Sequence, residues 1–357
     1  MKLDNLINQT SEWLKGTGPD SDIVISSRIR LARNIKGYNF VDWSDDASKK
    51  AVIDIAKPAI EASNYMKNGL YVDMSQLGSL DKQFLIERHL VSREHSIDTE
   101  YKSTLIADRE IISIMVNEED HLRLQVIQSG LVLDDAWNIM MGLEADLEKR
   151  LGFAFSEEWG YLTACPTNTG TGLRASAMLH LPAVVLTSQV DTLIHSVSKL
   201  GLTVRGFFGE GTEALGDFFQ VSNQVTLGSR EEEIIDNLKR VITQIVSQER
   251  GSREFLKSKK KHILEDKVSR AYSTLEGAHI ITSSEAIGLL SYVRLGLGLG
   301  MIKELDSNRL NELLILTQPA HLQKLAGKEL NPSERDIKRA ELIHEKLGIH
   351  KGDRKDV

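Results

Sequence analysis

DIVISSRIRLARN, residues 22–34, sets β-branched and leucyl side chains among serines and arginines. Successive side chains of a strand point to opposite faces, so this stretch predicts a strand whose arginines emerge on one side. Outward from it, residues 45–67 carry apolar positions at helical spacing, while 103–107, 110–116 and 122–128 read as further strands. The last two are joined by a short acidic connection, Asn117-Glu118-Glu119-Asp120-His121, which makes a hairpin-like unit. Residues 134–151 read as a helix. Gly170-Thr171-Gly172 leads into a second, short helix over 173–180, stopped by Pro182, and 202–207 and 217–227 read as strands again.

The texture changes near Arg230. Ile234, Ile235, Leu238, Val241, Ile242, Ile245 and Val246 recur at helical spacing, and the polar stretch 248–261 divides this helix from the next. We place a boundary there, giving a β-rich domain over 1–258 and an all-helical domain over 259–357. In the latter, Asn331 can cap a helix, Pro332 suits its first position and Glu334 completes a capping box. LGLGLG, residues 295–300, follows helical text rather than a strand, so we reject it as a nucleotide motif.

At 357 residues the chain predicts about two domains, and 41% apolar with 27% charged residues excludes a disordered polymer. Forty-four basic against 51 acidic residues leave a net charge of −7, so no chain-wide attraction for nucleic acid or anionic membrane is expected. Any bound anion must meet a local cluster. The single cysteine, Cys165, excludes an intramolecular disulfide, no Cys/His set has zinc spacing, and a reducing cytoplasm fits. The opening MKLDNLINQTSEWLKG lacks the apolar core of a signal peptide, and the apolar run 175–190, broken by His180 and Pro182, falls short of the roughly 20 residues a spanning helix needs.

Five arginines sit in small-residue or turn contexts: Arg28 and Arg30 in SSRIR, Arg123 in NEEDHLR, Arg174 in TGTGLRASAM and Arg205 in VRGFFGEG. Guanidinium forks bind phosphate oxygens bidentately and stay charged, so their convergence would hold a polyphosphate without a Walker lysine. Neither GxxxxGK[ST] nor the HRD and DFG elements of ordinary protein kinases are present. Glycines 170–172, read as heading a helix, would add free N–H groups toward a phosphate. Two carboxylate sites are candidates for reaction chemistry: Glu118, Glu119 and Asp120 in the hairpin connection, and Glu210. Solvated turn acids and surface ion pairs are the ordinary alternatives for each of these residues taken singly.

SSRIRLAR, NEEDHLR, CPTNTGTGLRAS, RGFFGEG and QVSNQVTLG occur here in the order of the guanidino (phosphagen) kinase family, over about residues 22–254, and the chain closely resembles that family. RGFFGEGTEALG and a helical tail with RDIKRA resemble its bacterial protein arginine kinase branch, whose members phosphorylate arginine side chains in proteins. The resemblance implies an α+β fold: a phosphagen-kinase-like antiparallel sheet flanked by helices, then an all-helical C-terminal domain. It also implies ATP as phosphoryl donor, with Mg²⁺ held mainly through the nucleotide phosphates and no Asp or Glu singled out as a metal ligand.

Residue by residue, the resemblance assigns Ser26, Ser27, Arg28, Ile29, Arg30, His89, Arg123, Arg174, Ala175, Ser176, Ala177, Met178, Arg205, Gly206, Phe207, Phe208, Gly209 and Glu210 to the ATP site. Glu210 is the expected base, Glu119 its clamping partner, and Cys165 matches the family's reactive cysteine. Arg335, Asp336, Ile337, Lys338, Arg339 and Ala340 match RDxxRA, which the family associates with an allosteric phosphoarginine pocket. The roughly 100 residues of a closing domain, a length typical of a small domain, are not available before Asp22, so an open cleft suited to protein-borne arginines is implied. Implied partners are protein substrates, a transcriptional repressor, a protease-linked chaperone, an activator protein and further copies of the chain. The competing expectation is a phosphoarginine-reading adaptor with secondary kinase activity.

Overall fold

The computed structural model describes residues 3–206, 214–303 and 305–348. Its strands are β1 (Val24–Arg33), β2 (Leu70–Asp73), β3 (Ser103–Ile106), β4 (Ile112–Val116), β5 (Leu122–Ser129), the short pair β6 (Phe155–Ser156) and β7 (Gly160–Tyr161), β8 (Leu173–His180), β9 (Leu202–Gly206) and β10 (Phe218–Asn223). Eight of them form one sheet in the order β2-β3-β4-β5-β1-β8-β10-β9, antiparallel at every pairing. The helices are α1 (Asp46–Glu61), α2 (Ser79–Glu87), α3 (Leu133–Leu151), α4 (Pro182–Leu186), α5 (Val190–Lys199), α6 (Glu231–Lys259), α7 (Lys261–Gly277), α8 (Ser283–Gly298), α9 (Ser307–Leu316), α10 (Pro319–Ala326) and α11 (Pro332–Leu347). The expected α+β architecture, an antiparallel sheet with helices and then a helical C-terminal region, is the one observed.

The two faces of the sheet differ. Ile29 and Leu31 of β1, Leu124 and Val126 of β5, Ala175 and Ala177 of β8, Val204 of β9 and Val221 of β10 share the main core with α1, α3 and α6. The alternate positions carry Arg28 and Arg30, and the register sets Arg30 opposite Arg174 and Ala32 opposite Arg123. At one end this second face is apolar: Ile25, Ile127, Met178 and Phe218 pack with Trp13, Leu14 and residues of α8, α9 and α11. The C-terminal helices therefore cover half of the face and leave the arginine half open, which is how a hydrophobic layer delimits a polar cleft.

Two expectations are corrected. Residues 173–180 are the central strand β8, and Pro182 opens α4 instead of ending a helix. LRASAMLH is rich in helix formers, but hydrogen bonding to β1 on one side and β10 on the other overrides propensity. Gly170–Gly172 consequently heads no helix, so no helix N-terminus offers its amides to a phosphate there. Second, the polar stretch from Gln248 is the last part of α6, with Glu249, Ser252, Arg253 and Leu256 buried, and the helix breaks only at Lys260. Its charges are tolerated because they are paired. Glu249 accepts from Arg253 Nε at 2.8 Å and from the amides of Ala183 and Val184, so burial is hidden under a hydrophilic text. LGLGLG closes α8, in agreement with its helical reading.

Candidate active site

Alternation along four strands brings the five arginines to one cleft of about 480 Å³, with His89, Glu118, Glu119, Asp120, Cys165, Gly206 and Gln220 in its lining. Among the described residues, Arg123 is the one of the five with a carboxylate at ion-pair distance, bonding Glu118. Arg28 spends its donors on neutral oxygens, Gln220 Oε1 at 2.7 Å and Ser176 Oγ at 3.4 Å, and Arg174 donates to Ser222 Oγ at 3.1 Å. The buried Nε atoms of Arg30 and Arg174 find no hydrogen-bond partner among the described residues.

Among the described residues, five arginines face three carboxylates in this lining, and the electrostatics are those of a crowded cationic site. Burial, then Arg123 and Arg174, push the Arg28 guanidinium down to about 10. Burial and the three neighbouring arginines hold Arg30 well below the usual arginine value, against the opposing pull of Glu118. Arg174 is lowered by burial, Arg205 and Arg123. Like charges held together out of water are costly, and an anion relieves that cost by partnering all of them.

NEEDHLR separates into structural and cleft-facing parts. Asn117 adopts φ 58° and donates to the carbonyls of Lys49 and Tyr101, which fixes the turn. Glu118 is raised by burial but brought below the ordinary carboxylate value by Arg123, the Ser92 hydroxyl and the Glu119 amide. Asp120 accepts from Asn34 Nδ2 at 2.6 Å and from the Ala164 amide at 2.7 Å, so it ties the hairpin to the segment carrying Cys165. His121 Nδ1 accepts from the Ile35 amide at 3.0 Å. Glu119 is exposed at the cleft, its carboxyl raised by burial and by Asp120 and Glu118, with Cys165 and Arg123 acting in the opposite direction. Cys165 Sγ lies 3.0 Å from Thr167 Oγ1.

His89 follows α2 at φ 59°, meets Trp13 edge-on at 5.4 Å, and is pushed down to about 3 by burial, Arg28 and His321, which keeps it neutral. Ser26 and Met178 stand on the cleft side of the sheet, with Met178 under the C-terminal helices, whereas Ile29, Ala175 and Ala177 lie in the main core. Ser27 Oγ donates to the Gly130 carbonyl and accepts from the Val132 amide, anchoring the loop before α3. Phe207, Phe208, Gly209 and Glu210 lie outside the described residues. Gln220 and Ser222, which hold Arg28 and Arg174, were missed by the sequence reading. They stand in QVSNQVTLG, and period-two alternation in that strand would have found them.

The tail motif lies on α11. Arg339 is buried, donating to Thr317 O at 2.7 Å, to Ile281 O at 2.8 Å and to Asp336. Arg335 donates to Leu330 O at 3.0 Å, Lys338 pairs with Glu341, Ile337 is exposed and Ala340 is buried. Among the described residues no group of three or more His, Cys, Asp or Glu side chains could hold a metal ion, and no helix is long and apolar enough to cross a membrane.

The fold is shared with a taurocyamine kinase from Schistosoma mansoni (TM-score 0.60, 23% identity, 71% of this chain and 39% of that one) and with a lombricine kinase (TM-score 0.58, 22% identity, 72% and 77%). The pattern of the ATP:guanido phosphotransferase C-terminal catalytic domain matches residues 51–252, and fold and site together define a guanidino phosphotransferase. Residues 261–356 match the protein-arginine kinase McsB C-terminal domain. The protein-arginine kinases of Halothermothrix orenii and Symbiobacterium thermophilum are each 49% identical, over 98% and 94% of this chain and 100% and 96% of their own lengths. The chain belongs to the protein-arginine kinase family and is a phosphotransferase.

Proposed function

We propose that the enzyme transfers the γ-phosphoryl group of ATP to the guanidinium of arginine side chains in proteins. The observation that carries this reading is the convergence of five arginines, of which only Arg123 has a carboxylate at ion-pair distance among the described residues, beside an exposed glutamate and a cysteine. Buried guanidinium N–H groups with no partner fit phosphate oxygens, so Arg28, Arg30, Arg123, Arg174 and Arg205 are assigned to the nucleotide and the transferring group. Magnesium, when bound through the nucleotide phosphates, supplies further neutralisation of their charge.

The acceptor guanidinium has a pKa above about 12, so it must be oriented and lose a proton to become a nucleophile. Glu119 reaches the cleft and is assigned to hold the fork; Glu210 is assigned as the base that takes the proton as the N–P bond forms and ADP leaves. Cys165, beside Glu119, completes the acceptor side. We also propose the division at 258/259, and regulation by phosphoarginine at Arg335–Ala340. Arg335 and Arg339, which lie four apart on one helical face, must then exchange backbone carbonyls for the phosphate, and Asp336 must leave Arg339 for the modified guanidinium. Stress-response marking of proteins, a repressor and protease-linked chaperone as partners, self-association and a cytoplasmic setting belong to the same proposal.

The test is incubation with Mg·ATP and either an arginine-rich unstructured protein or free L-arginine. Acid-labile phosphate on the protein and not on the amino acid is the expected result. Transfer to neither, with tight phosphoarginine binding, replaces the reading with the adaptor.

A further inference from the structure

Beyond the catalytic cleft, a second cavity of about 460 Å³ draws part of its lining from the same segment, 165–172, that lines the cleft. Its lining includes Phe155, Glu158, Trp159, Leu227, Glu231 and Glu233. Large apolar side chains are unusually open here: Phe155 is 58% exposed, Trp159 49% and Leu227 46%. Scattered exposed apolar residues need no explanation, but several around one concavity mark a binding surface. The charge is one-sided. Among the described residues, Glu158, Glu231 and Glu233 line it against a single cation, Arg230, and Glu157 and Glu232, their chain neighbours, are exposed. Glu233 is partly used as the cap of α6, accepting from the Arg230 amide at 3.1 Å.

This surface is continuous with the cleft. Tyr161 N donates to Gly170 O at 2.8 Å, and a Cβ on Gly160 would meet Gly170 O at 2.5 Å, so the β6–β7 pair is clamped onto the segment that forms the wall of both cavities. Gly170 and Thr171 line the outer cavity and Gly172 the catalytic one, a separation of at most about 7 Å along the chain. The β6–β7 pair already holds a guanidinium on a ring: Arg33 Cζ lies 3.4 Å over Tyr161.

We infer that the Phe155/Trp159/Leu227 groove with its glutamate rim docks a basic segment of the substrate polypeptide, flanking the arginine presented to the cleft. The inference rests on the protein-substrate reading and deepens it. Exposed rings and carboxylates favour lysine and arginine side chains, whose apolar stems cover the groove while their charges meet the rim. Affinity for flanking charge is thereby separated from chemistry on the target guanidinium.

The test uses short peptides with one central arginine flanked either by lysines or by serines, and the full chain as wild type, Trp159→Ala and Glu158→Lys. For the lysine-flanked peptide each variant raises KM roughly ten-fold, with kcat unchanged, and the serine-flanked peptide is unaffected. Equal effects on both peptides, or none, overturn the inference. If the wild type phosphorylates neither peptide, the proposed function fails and binding decides the groove: fluorescence anisotropy of the labelled lysine-flanked peptide supports it when the variants weaken binding and overturns it when they do not. A change in sedimentation of the variants without change in peptide binding also overturns it, assigning the groove to a second copy of the chain.

Discussion

Two sets of arginines in this protein are alike in sequence and opposite in structure. Arg88 is buried, donating to Glu110, to Gln9 O at 2.8 Å and to Ser11 Oγ at 2.9 Å. Arg33 donates to Glu144 at 2.6 Å and to the carbonyls of Ala32 and Thr171, and Arg339 is held by two carbonyls and Asp336. Arg28, Arg30 and Arg174 are also drawn out of water, yet they face one another and neutral oxygens. Among the described residues, Arg88, Arg33 and Arg339 each have a carboxylate partner, although Arg33 Nη2 finds no hydrogen bond, whereas Arg28, Arg30 and Arg174 have no carboxylate at ion-pair distance. The difference teaches that burial alone does not assign an arginine, whereas the charges it is buried beside do.

The largest expected effect tests the carboxylate-paired set. Arg88→Met leaves Glu110 buried without its cation, and breaking such a pair costs about 3–5 kcal/mol, read as a fall in ΔG of unfolding by urea titration. A loss below about 1 kcal/mol, the worth of an exposed pair, would erase the distinction. Arg30→Ala tests the other set: phosphoryl transfer falls by about 10²–10³-fold, the usual effect of removing one donor to developing charge, while urea stability is unchanged or higher. Destabilisation comparable to Arg88→Met would return Arg30 to the structural class.

A smaller effect concerns the anion itself. ADP at a hundred times its Kd stabilises the wild type by about 2.7 kcal/mol, and calorimetry of Arg30→Ala at the same concentration shows a smaller rise in Tm. The smallest effect belongs to Glu119. Its carboxyl is raised by burial and by Asp120 and Glu118, so ionisation costs stability above the folded-state pKa, and that cost vanishes below the ordinary glutamate value. Glu119→Gln therefore gives a slightly higher Tm at pH 7 and no difference in strong acid, while transfer activity is lost. A lower Tm at pH 7 would contradict the like-charge account.

The motif strings made the arginine cluster and the hairpin acids legible, because they pack many chemically specific residues into short text. Less legible was the division of labour inside them. NEEDHLR contains four ionisable side chains between Asn117 and Leu122, and only the turn geometry separates exposed Glu119 from Asp120, which pins the Ala164 amide. The helix expected at 173–180 failed for a related reason. Its residues favour a helix locally, and the neighbours that make it a central strand come from β1 and β10, far away in the chain.

The sequence by itself determined the family resemblance, the alternation that throws Arg28 and Arg30 to one side of a strand, and the helical character of the C-terminal part. These follow from local chemistry and spacing. Tertiary structure decided that β5, β8 and β9 bring their arginines beside those of β1, that the C-terminal helices cover the apolar half of that face, and which guanidinium donors remain spare. Those outcomes depend on strand register and on partners hundreds of residues apart, such as Glu87 accepting from the amides of Ala320 and His321. No local pattern encodes such pairings, because each is fixed only when burial forces every polar group to find a partner.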